Sequence, residues 1–387
     1  MKISQKALAA APIALAFLFI LTAIGTPVSA VTANGTANTS CTQARSMRDD
    51  AFQYPSIAST VDSSAYVENW YFSFTYAKDN MSFWCQYEIN NPSDSGAAGL
   101  YPDVAYANGN LQVGDNVITS PAPMYADWSA SASKLNVNVN DGGFTAVAYN
   151  TNIIHVTGND LSCGISWNLI YTRQLVQAPV IQGAPLGFLP GDNQSWIEYM
   201  PLASVSGIVA LAGHSYIITG APGYHDHNWG QQFSFYFNPW MKFNTEIKGT
   251  SLFVGAIAMP DPTTLDPTAL LGSVATVNVG GTWIAGATLA SLQYLNFAID
   301  PVTGSPYISQ YAATIVAGKY MITFTATNNQ PFFYIYYAEN GIALYFQQAF
   351  GYTYTGSVIE TTAHGAHTLG SFACSGEAEQ VMLTPTQ

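Results

Sequence analysis

The segment Pro222-Gly223-Tyr224-His225-Asp226-His227-Asn228-Trp229-Gly230 packs two of the chain's six histidines, a carboxylate, an amide and two aromatic rings between glycines. Read as a strand, it sends Tyr224, Asp226 and Asn228 to one side and His225, His227 and Trp229 to the other. Read as a turn, its glycines let the backbone fold closely while the polar groups satisfy one another. Three chemistries are open to it. His225 and His227 could hold a metal such as zinc, with His155, His214, His364 or His367 as a third ligand. The cluster could be a structural knot that satisfies buried backbone groups at a domain junction. It could also line a pocket in which Asp226 or a histidine exchanges a proton or a hydrogen bond with a substrate. The last two readings are compatible.

A second candidate is Glu68-Asn69-Trp70-Tyr71-Phe72. Strand alternation places Glu68, Trp70 and Phe72 on one face. A carboxyl among aromatics has its pKa pushed upward, as a proton donor requires. The alternative is a Glu at an exposed strand end with only Trp70 in the core. The chain has no G-x-S-x-G, Walker loop, H-E-x-x-H or post-strand G-x-G-x-x-G, so the common hydrolase and nucleotide-binding classes lose their support.

The elements that carry these residues read as strands. Lys134-Leu135-Asn136-Val137-Asn138-Val139-Asn140 alternates apolar and polar residues, and Asp141-Gly142-Gly143 turns it into Phe144 to Tyr149, a hairpin. Asn340-Gly341 joins Phe332 to Tyr337 with Ile342 to Phe346 in a second hairpin. Further strands are expected at Trp70 to Tyr76, Ser82 to Ile89, Ile153 to Thr157, Cys163 to Thr172, Tyr216 to Thr219, Ser251 to Ala258, Leu292 to Ile299 and Lys319 to Ala326. Pro179 to Pro201, rich in Gly and Pro, reads as a long loop, and the domain join falls near residues 230 to 245. So many short strands with little helical period predict an all-β protein of two sandwich or barrel domains.

Composition narrows the partners. Of 387 residues, 49% are hydrophobic and only 9% charged, with 10 Lys and Arg against 23 Asp and Glu. No cationic surface exists for a nucleic acid, and a chain with 13% aromatic residues is not a disordered one. Lys2 and Lys6, an apolar run from Ala7 to about Gly25, and small residues at Val28 and Ala30 read as a secretory signal cleaved after Ala30; uncleaved, the run would be a membrane anchor. Export makes two disulfides the expectation for Cys41, Cys85, Cys163 and Cys374. Three connectivities are possible; the favoured one joins Cys41 with Cys374 and Cys85 with Cys163, the alternative being four buried thiols. Asn34, Asn38, Asn80 and Asn193 head N-glycosylation sequons.

The two chemical segments together resemble a family of two-domain lipocalin-like proteins that includes bacterial carotenoid 1,2-hydratase (hydroxyneurosporene synthase), fungal kievitone hydratase and fungal Diels-Alderases of polyketide pathways. Glu68 to Phe72 matches the family's Glu-Trp-Trp-Tyr-Phe with Asn69 in place of the first Trp. Gly223 to Gly230 matches Gly-Tyr-His-Asp-His-Asn-Trp-Gly without change. The likeness extends in pattern from about Tyr66 to Cys374, and the Asn69 departure removes one aromatic wall from any inferred pocket.

The resemblance implies two barrel-like β domains with an apolar cavity. With the leader read above, the expected division is a signal peptide over 1–30, a flexible mature N-terminus over 31–50, an N-terminal barrel-like domain over 51–235 and a lipocalin-like domain over 236–387. It also implies a hydrophobic polyene or prenyl substrate. The preferred expectation is a secretory-pathway fungal cyclase performing a [4+2] cycloaddition on a polyketide-derived polyene, an isomerase of secondary metabolism. Alternatives are a hydratase, adding water to an alkene, and a non-catalytic carrier of a hydrophobic ligand. Asp226, His225, His227 and Glu68 are the candidate catalytic groups, and Tyr224, Asn228, Trp229, Trp70 and Phe72 the candidate substrate contacts. The protein is expected to be a secreted monomer with no cofactor or metal, no nucleic-acid partner and no stable membrane insertion once the leader is removed.

Overall fold

A computed structural model of the chain describes residues 46–61, 65–79, 81–90, 92, 97–106, 112–114, 124–125, 127–160, 164–184, 193–211, 213–231, 240–260, 270–299, 306–328, 332–339 and 342–385. Among them, thirteen strands form one antiparallel sheet and ten a second, numbered here along the chain. The first sheet ends at Gln231 and the second begins at Trp240.

The two sheets share one plan. In the first, β1 (Tyr66–Tyr76) pairs on one side with β2 (Met81–Asn90) and on the other with the last strand, β13 (His214–Gln231), which also pairs with β12 (Asn193–Leu211). In the second, β14 (Trp240–Ile247) pairs with β15 (Thr250–Pro260) and with the last strand, β23 (Gly365–Pro385), which pairs in turn with β22 (Ile342–Thr362). Each sheet is a meander whose first strand is laid against its last, and each curls around a core of its own. Trp70, Phe72, Phe74, Tyr87, Leu169 and Tyr171 belong to the first core, and Met241, Phe243, Val254, Tyr311, Ile322 and Tyr354 to the second. A third cluster lies between them: Tyr71, Trp84, Trp196 and Tyr224 from the first sheet meet Trp240, Phe253, Ile257 and Trp283 from the second.

Alternation explains why two cores and a junction coexist. The inward residues of β1 enter the first core while the intervening Tyr71 joins the junction, so β1 is buried on both faces and its burial is nearly continuous from Trp70 to Phe74. The predicted hairpin forms, with its turn one residue earlier than Asp141-Gly142-Gly143: Asn140, Asp141 and Gly142 take positive φ (56°, 49° and 80°) between β7 (Asn136–Val139) and β8 (Phe144–Asn150). Phe332–Glu339, β21, pairs with β22 around Asn340-Gly341, and those two turn residues lie outside the described residues.

Three expectations are corrected. Residues 193–201 are strand, not loop, because β12 continues through them to pair with β13, while Ile181–Ala184 forms the short strand β11. Residues 46–50, placed in a flexible terminus, are packed: Ser46 caps the turn Met47–Asp50 by accepting from the Arg48 N–H at 3.1 Å, and Asp50 is fully buried. Cys85 and Cys374 are free thiols in place of disulfide partners: Cys85 faces the middle of the first core, and Cys374 stands in the wall of the second domain opposite Tyr354. Burial pushes the thiol of Cys85 upward. Cys41, Cys163, the leader expected over 1–30, and the sequon residues Asn34, Asn38 and Asn80 lie outside the described residues; Asn193 opens β12 opposite Gln231.

Candidate functional site

The motif at 223–230 is strand, and alternation splits it as its sequence predicts. Gly223 is required at its start, because a Cβ there would meet Ser73 O at 2.9 Å. From that point His225, His227 and Trp229 face the first core, and Tyr224 and Asp226 face the junction.

The inward cluster is closed on itself. His225 is fully buried, with Nδ1 2.9 Å from Tyr71 O and Nε2 2.9 Å from Asp50 Oδ2. His227, also buried, places Nδ1 3.2 Å from Asp49 O and Nε2 2.8 Å from Glu68 Oε1. Each ring stacks on an aromatic of β1: Phe72 lies 4.0 Å from the His225 ring at 4°, and Trp70 lies 4.8 Å from His227 at 15°. Glu68 is buried, not at an exposed strand end. It accepts from the Tyr66 hydroxyl at 2.5 Å, Gln53 N at 2.7 Å and Tyr54 N at 3.2 Å. Trp70 Nε1 donates to Asp50 O at 3.1 Å. Through these bonds His225, His227, Glu68 and Trp70 tie residues 49–54 to the barrel, so the polar groups on this face satisfy one another inside the first domain and not at the domain junction where a structural knot is expected. Trp70, Phe72 and Trp229 share this face and pack in the first core. Metal ligation by His225 and His227 has no third histidine beside it: His155 bridges Tyr149 and Asn168 on the outer surface at 2.9 and 2.8 Å, and His214 and His364 are exposed at hairpin ends. His367 contacts Glu360 in the second domain.

The outward cluster is assembled from both domains. Asp226 Oδ2 accepts from Trp196 Nε1 at 3.1 Å and from the Tyr224 hydroxyl at 2.8 Å, while Asp226 Oδ1 is buried with no partner among the described residues. Glu198, from β12, is fully buried. Its Oε1 lies 3.4 Å from the same Tyr224 hydroxyl, and its Oε2 accepts a short hydrogen bond from Thr276 of β16 (Leu270–Val279) in the second domain. Glycine at 255 is what lets that carboxyl cross the junction, since a Cβ there would coincide with it. Lys242 Nζ lies 2.9 Å from Glu377 Oε1 and 3.9 Å from the centroid of the Tyr224 ring. Ser73 of β1 donates to Glu377 Oε2 at 2.9 Å across the junction. Asn69, where the family pattern has Trp, shares this side of the sheet and donates to Asn228 Oδ1 at 2.7 Å.

Charge is unbalanced here. Among the described residues, three carboxyls, Asp226, Glu198 and Glu377, act on one ammonium, Lys242, while a fourth, Glu379, feels the charge of Asp226. Burial pushes Glu198 up to about 8 and Asp226 up to about 6, the latter held back by hydrogen bonds from Trp196 and Tyr224. Glu379 is pushed up to about 8 by burial and by the charge of Asp226. Burial lowers Lys242, opposed by Glu377. Glu198, Asp226 and Glu379 thus hold a proton more tightly than an ordinary carboxyl does, against aromatic walls in which Tyr224 lies 5.4 Å and Tyr71 5.9 Å from Trp240.

Of the residues proposed from sequence, Asp226, Tyr224 and Asn228 stand on the junction side, and His225, His227, Glu68, Trp70, Phe72 and Trp229 on the core side. Sequence reasoning missed Glu198, Lys242, Glu377, Trp196, Trp240 and Asp50. Trp196-Ile197-Glu198 carries a usable signal, since it repeats the carboxylate-beside-Trp alternation of Glu68 and Trp70.

No family model and no curated protein matches the chain. Among solved structures it is similar to kievitone hydratase from Nectria haematococca, at 13% identity over 84% of this chain and 91% of that one, with a TM-score of 0.52. It is similar also to CghA, at 12% identity over 84% and 90%, with a TM-score of 0.53. CghA in complex with Sch210972 aligns at 12% identity over 84% and 89%, with a TM-score of 0.52. The chain therefore shares with these proteins the fold that its two motifs led us to expect, two packed lipocalin-like β domains.

Proposed function

We propose that the chain is an enzyme acting on a hydrophobic, conjugated substrate at the junction of its two domains, and that the reaction is an intramolecular [4+2] cyclisation. The observation that carries this reading is Glu198: a carboxyl pushed up to about 8, set among Trp196, Tyr224 and Trp240, and joined to the second domain through Thr276. A cyclase must hold diene and dienophile in a near-attack conformer, which aromatic walls favour. It gains further from hydrogen-bond donors aimed at a carbonyl conjugated to the dienophile. Neutral carboxyls and indole N–H groups are such donors and bring no charge into an apolar site.

Hydration is the second reading, favoured by Asp226: a carboxyl raised to about 6 with one free oxygen is suited to protonating an alkene or guiding a water. A linear trienone carrying a tethered dienophile separates them. Cyclisation leaves the product mass unchanged; hydration adds one water and takes up label from heavy-oxygen water, which overturns the cyclase assignment. Binding without turnover, unaffected by Asp226→Asn, would instead identify a carrier. We also propose export, supported by the leader over residues 1–30; a mature N-terminus at Val31 in the culture medium tests it.

A further inference from the structure

Two buried polar atoms of the junction have no partner among the described residues: the donor Trp240 Nε1, whose ring lies 5.4 Å from that of Tyr224, and the acceptor Asp226 Oδ1, whose companion oxygen accepts from the Tyr224 hydroxyl. Leaving such groups buried and unsatisfied forfeits the hydration each would have in water. Their neighbours are engaged, since Asp226 Oδ2 receives Trp196 and Tyr224, and Glu198 Oε2 receives Thr276. A ligand that offers a carbonyl oxygen to the indole and an acidic C–H to the free carboxylate oxygen would satisfy both. The Tyr224 hydroxyl stands between the two carboxyls, 2.8 Å from Asp226 and 3.4 Å from Glu198.

We propose that the junction catalyses proton transfer at the carbon beside a ketone, with Asp226 as base, Glu198 as acid and Trp240 holding the carbonyl, so that the substrate is an enolisable unsaturated ketone. This rests on the junction being the active site. For a β,γ-unsaturated ketone, Asp226 Oδ1 takes the α proton and the C–H electron pair becomes the new bond between the α carbon and the carbonyl carbon. The carbonyl π pair takes a proton from Glu198, giving a dienol. Glu198 then recovers the hydroxyl proton while Asp226 returns its own to the γ carbon. The product is the conjugated ketone, and both residues end as they began.

The two groups are separated in proton affinity in the direction this needs, Asp226 raised to about 6 and Glu198 to about 8. The charges facing them are His225 behind Asp226 and Lys242, Glu377 and Glu379 from the second domain. The rate should therefore rise through about pH 6 and fall through about pH 8.

The probe is cyclohex-3-enone deuterated at its α carbon (C2), converted to cyclohex-2-enone and followed by conjugated-enone absorbance and by transfer of the α deuterium to the γ carbon. Wild type is expected to accelerate the conversion. Asp226→Asn should lose about 100-fold or more, and Glu198→Gln should lower kcat and abolish the alkaline limb. Full activity in Asp226→Asn, or a wild-type rate no greater than that of the Asp226→Asn/Glu198→Gln variant, overturns the proposal. A trienone cyclised by an enzyme that leaves cyclohex-3-enone unconverted overturns it while leaving the cyclase reading intact. Enone isomerisation with no cyclised or hydrated product does the reverse.

Discussion

Alternate residues of β13 feed two polar clusters, and the clusters differ in how completely their charges and hydrogen bonds are matched. On the core side two histidines meet two carboxylates, Asp50 and Glu68, and backbone groups take up the remaining ring nitrogens. On the junction side three carboxyls meet one lysine, and polar atoms are left over at Asp226 and Trp240 among the described residues. Matched charge with full hydrogen bonding is how a structure satisfies buried polar groups. Unmatched charge with unfilled donors and acceptors raises proton affinities and leaves groups for a ligand. On the reading proposed above, anchoring falls to His225 and His227 and chemistry to Asp226, although all three sit in one octapeptide.

Breaking the core side should have the largest effect on stability. Glu68→Ala or Asp50→Ala leaves a buried histidine without its partner and is expected to cost about 3–5 kcal/mol, read as a lower urea midpoint. The same cost from a junction substitution such as Asp226→Asn would erase the contrast.

Turnover should show the opposite pattern. Glu198→Gln keeps the shape and one acceptor, so at pH 5, where Glu198 is still protonated in the folded chain, the urea midpoint should barely move, while kcat falls about 100-fold. Gly255→Ala, whose Cβ would occupy the place of the Glu198 carboxyl, should reproduce that loss with Glu198 still present. A fully active Gly255→Ala enzyme would remove Glu198 from the site.

The clusters should also separate in pH. Asp226 and Glu198 hold protons in the folded chain that the unfolded chain releases from their ordinary 3.8 and 4.5. Their contribution is therefore full below about pH 4 and is lost as pH rises through about 6 and about 8. Wild type should lose a few kcal/mol between pH 5 and 9 on their account, each tenfold difference in proton affinity between the folded and unfolded chain being worth about 1.4 kcal/mol. Urea titrations at both pH values should find the loss smaller in Glu198→Gln. The smallest effect is expected from Trp196→Phe: without that indole donor Asp226 rises further, moving the acid limb of the pH–rate profile upward by less than about one pH unit.

Much of this organisation was legible in the residues. The alternation at 223–230, the hairpin at 140–142 and the strands flanking Asn340-Gly341 follow from local periodicity and turn chemistry, and the structure carries all three. β12 was hidden because glycines and prolines before Asn193 masked a strand whose pairing with β13 is interrupted by bulges around Met200. Asp50 was hidden because nothing local to residues 46–50 says that a turn there will lie inside a barrel. The direction of Glu68 was read correctly, but whether the face it shares with Trp70 was core or pocket depended on what closes over it.

The sequence by itself determined the all-β character, the two faces of each chemical strand and the scarcity of charge that makes each carboxyl conspicuous. Those are properties of a residue and its near neighbours. Tertiary structure decided which carboxyls share a site and which keep a proton. Glu198 reaches Thr276 and Gly255 only because two separate sheets pack face to face, and a proton affinity follows burial and nearby charge, which no spacing along the chain encodes.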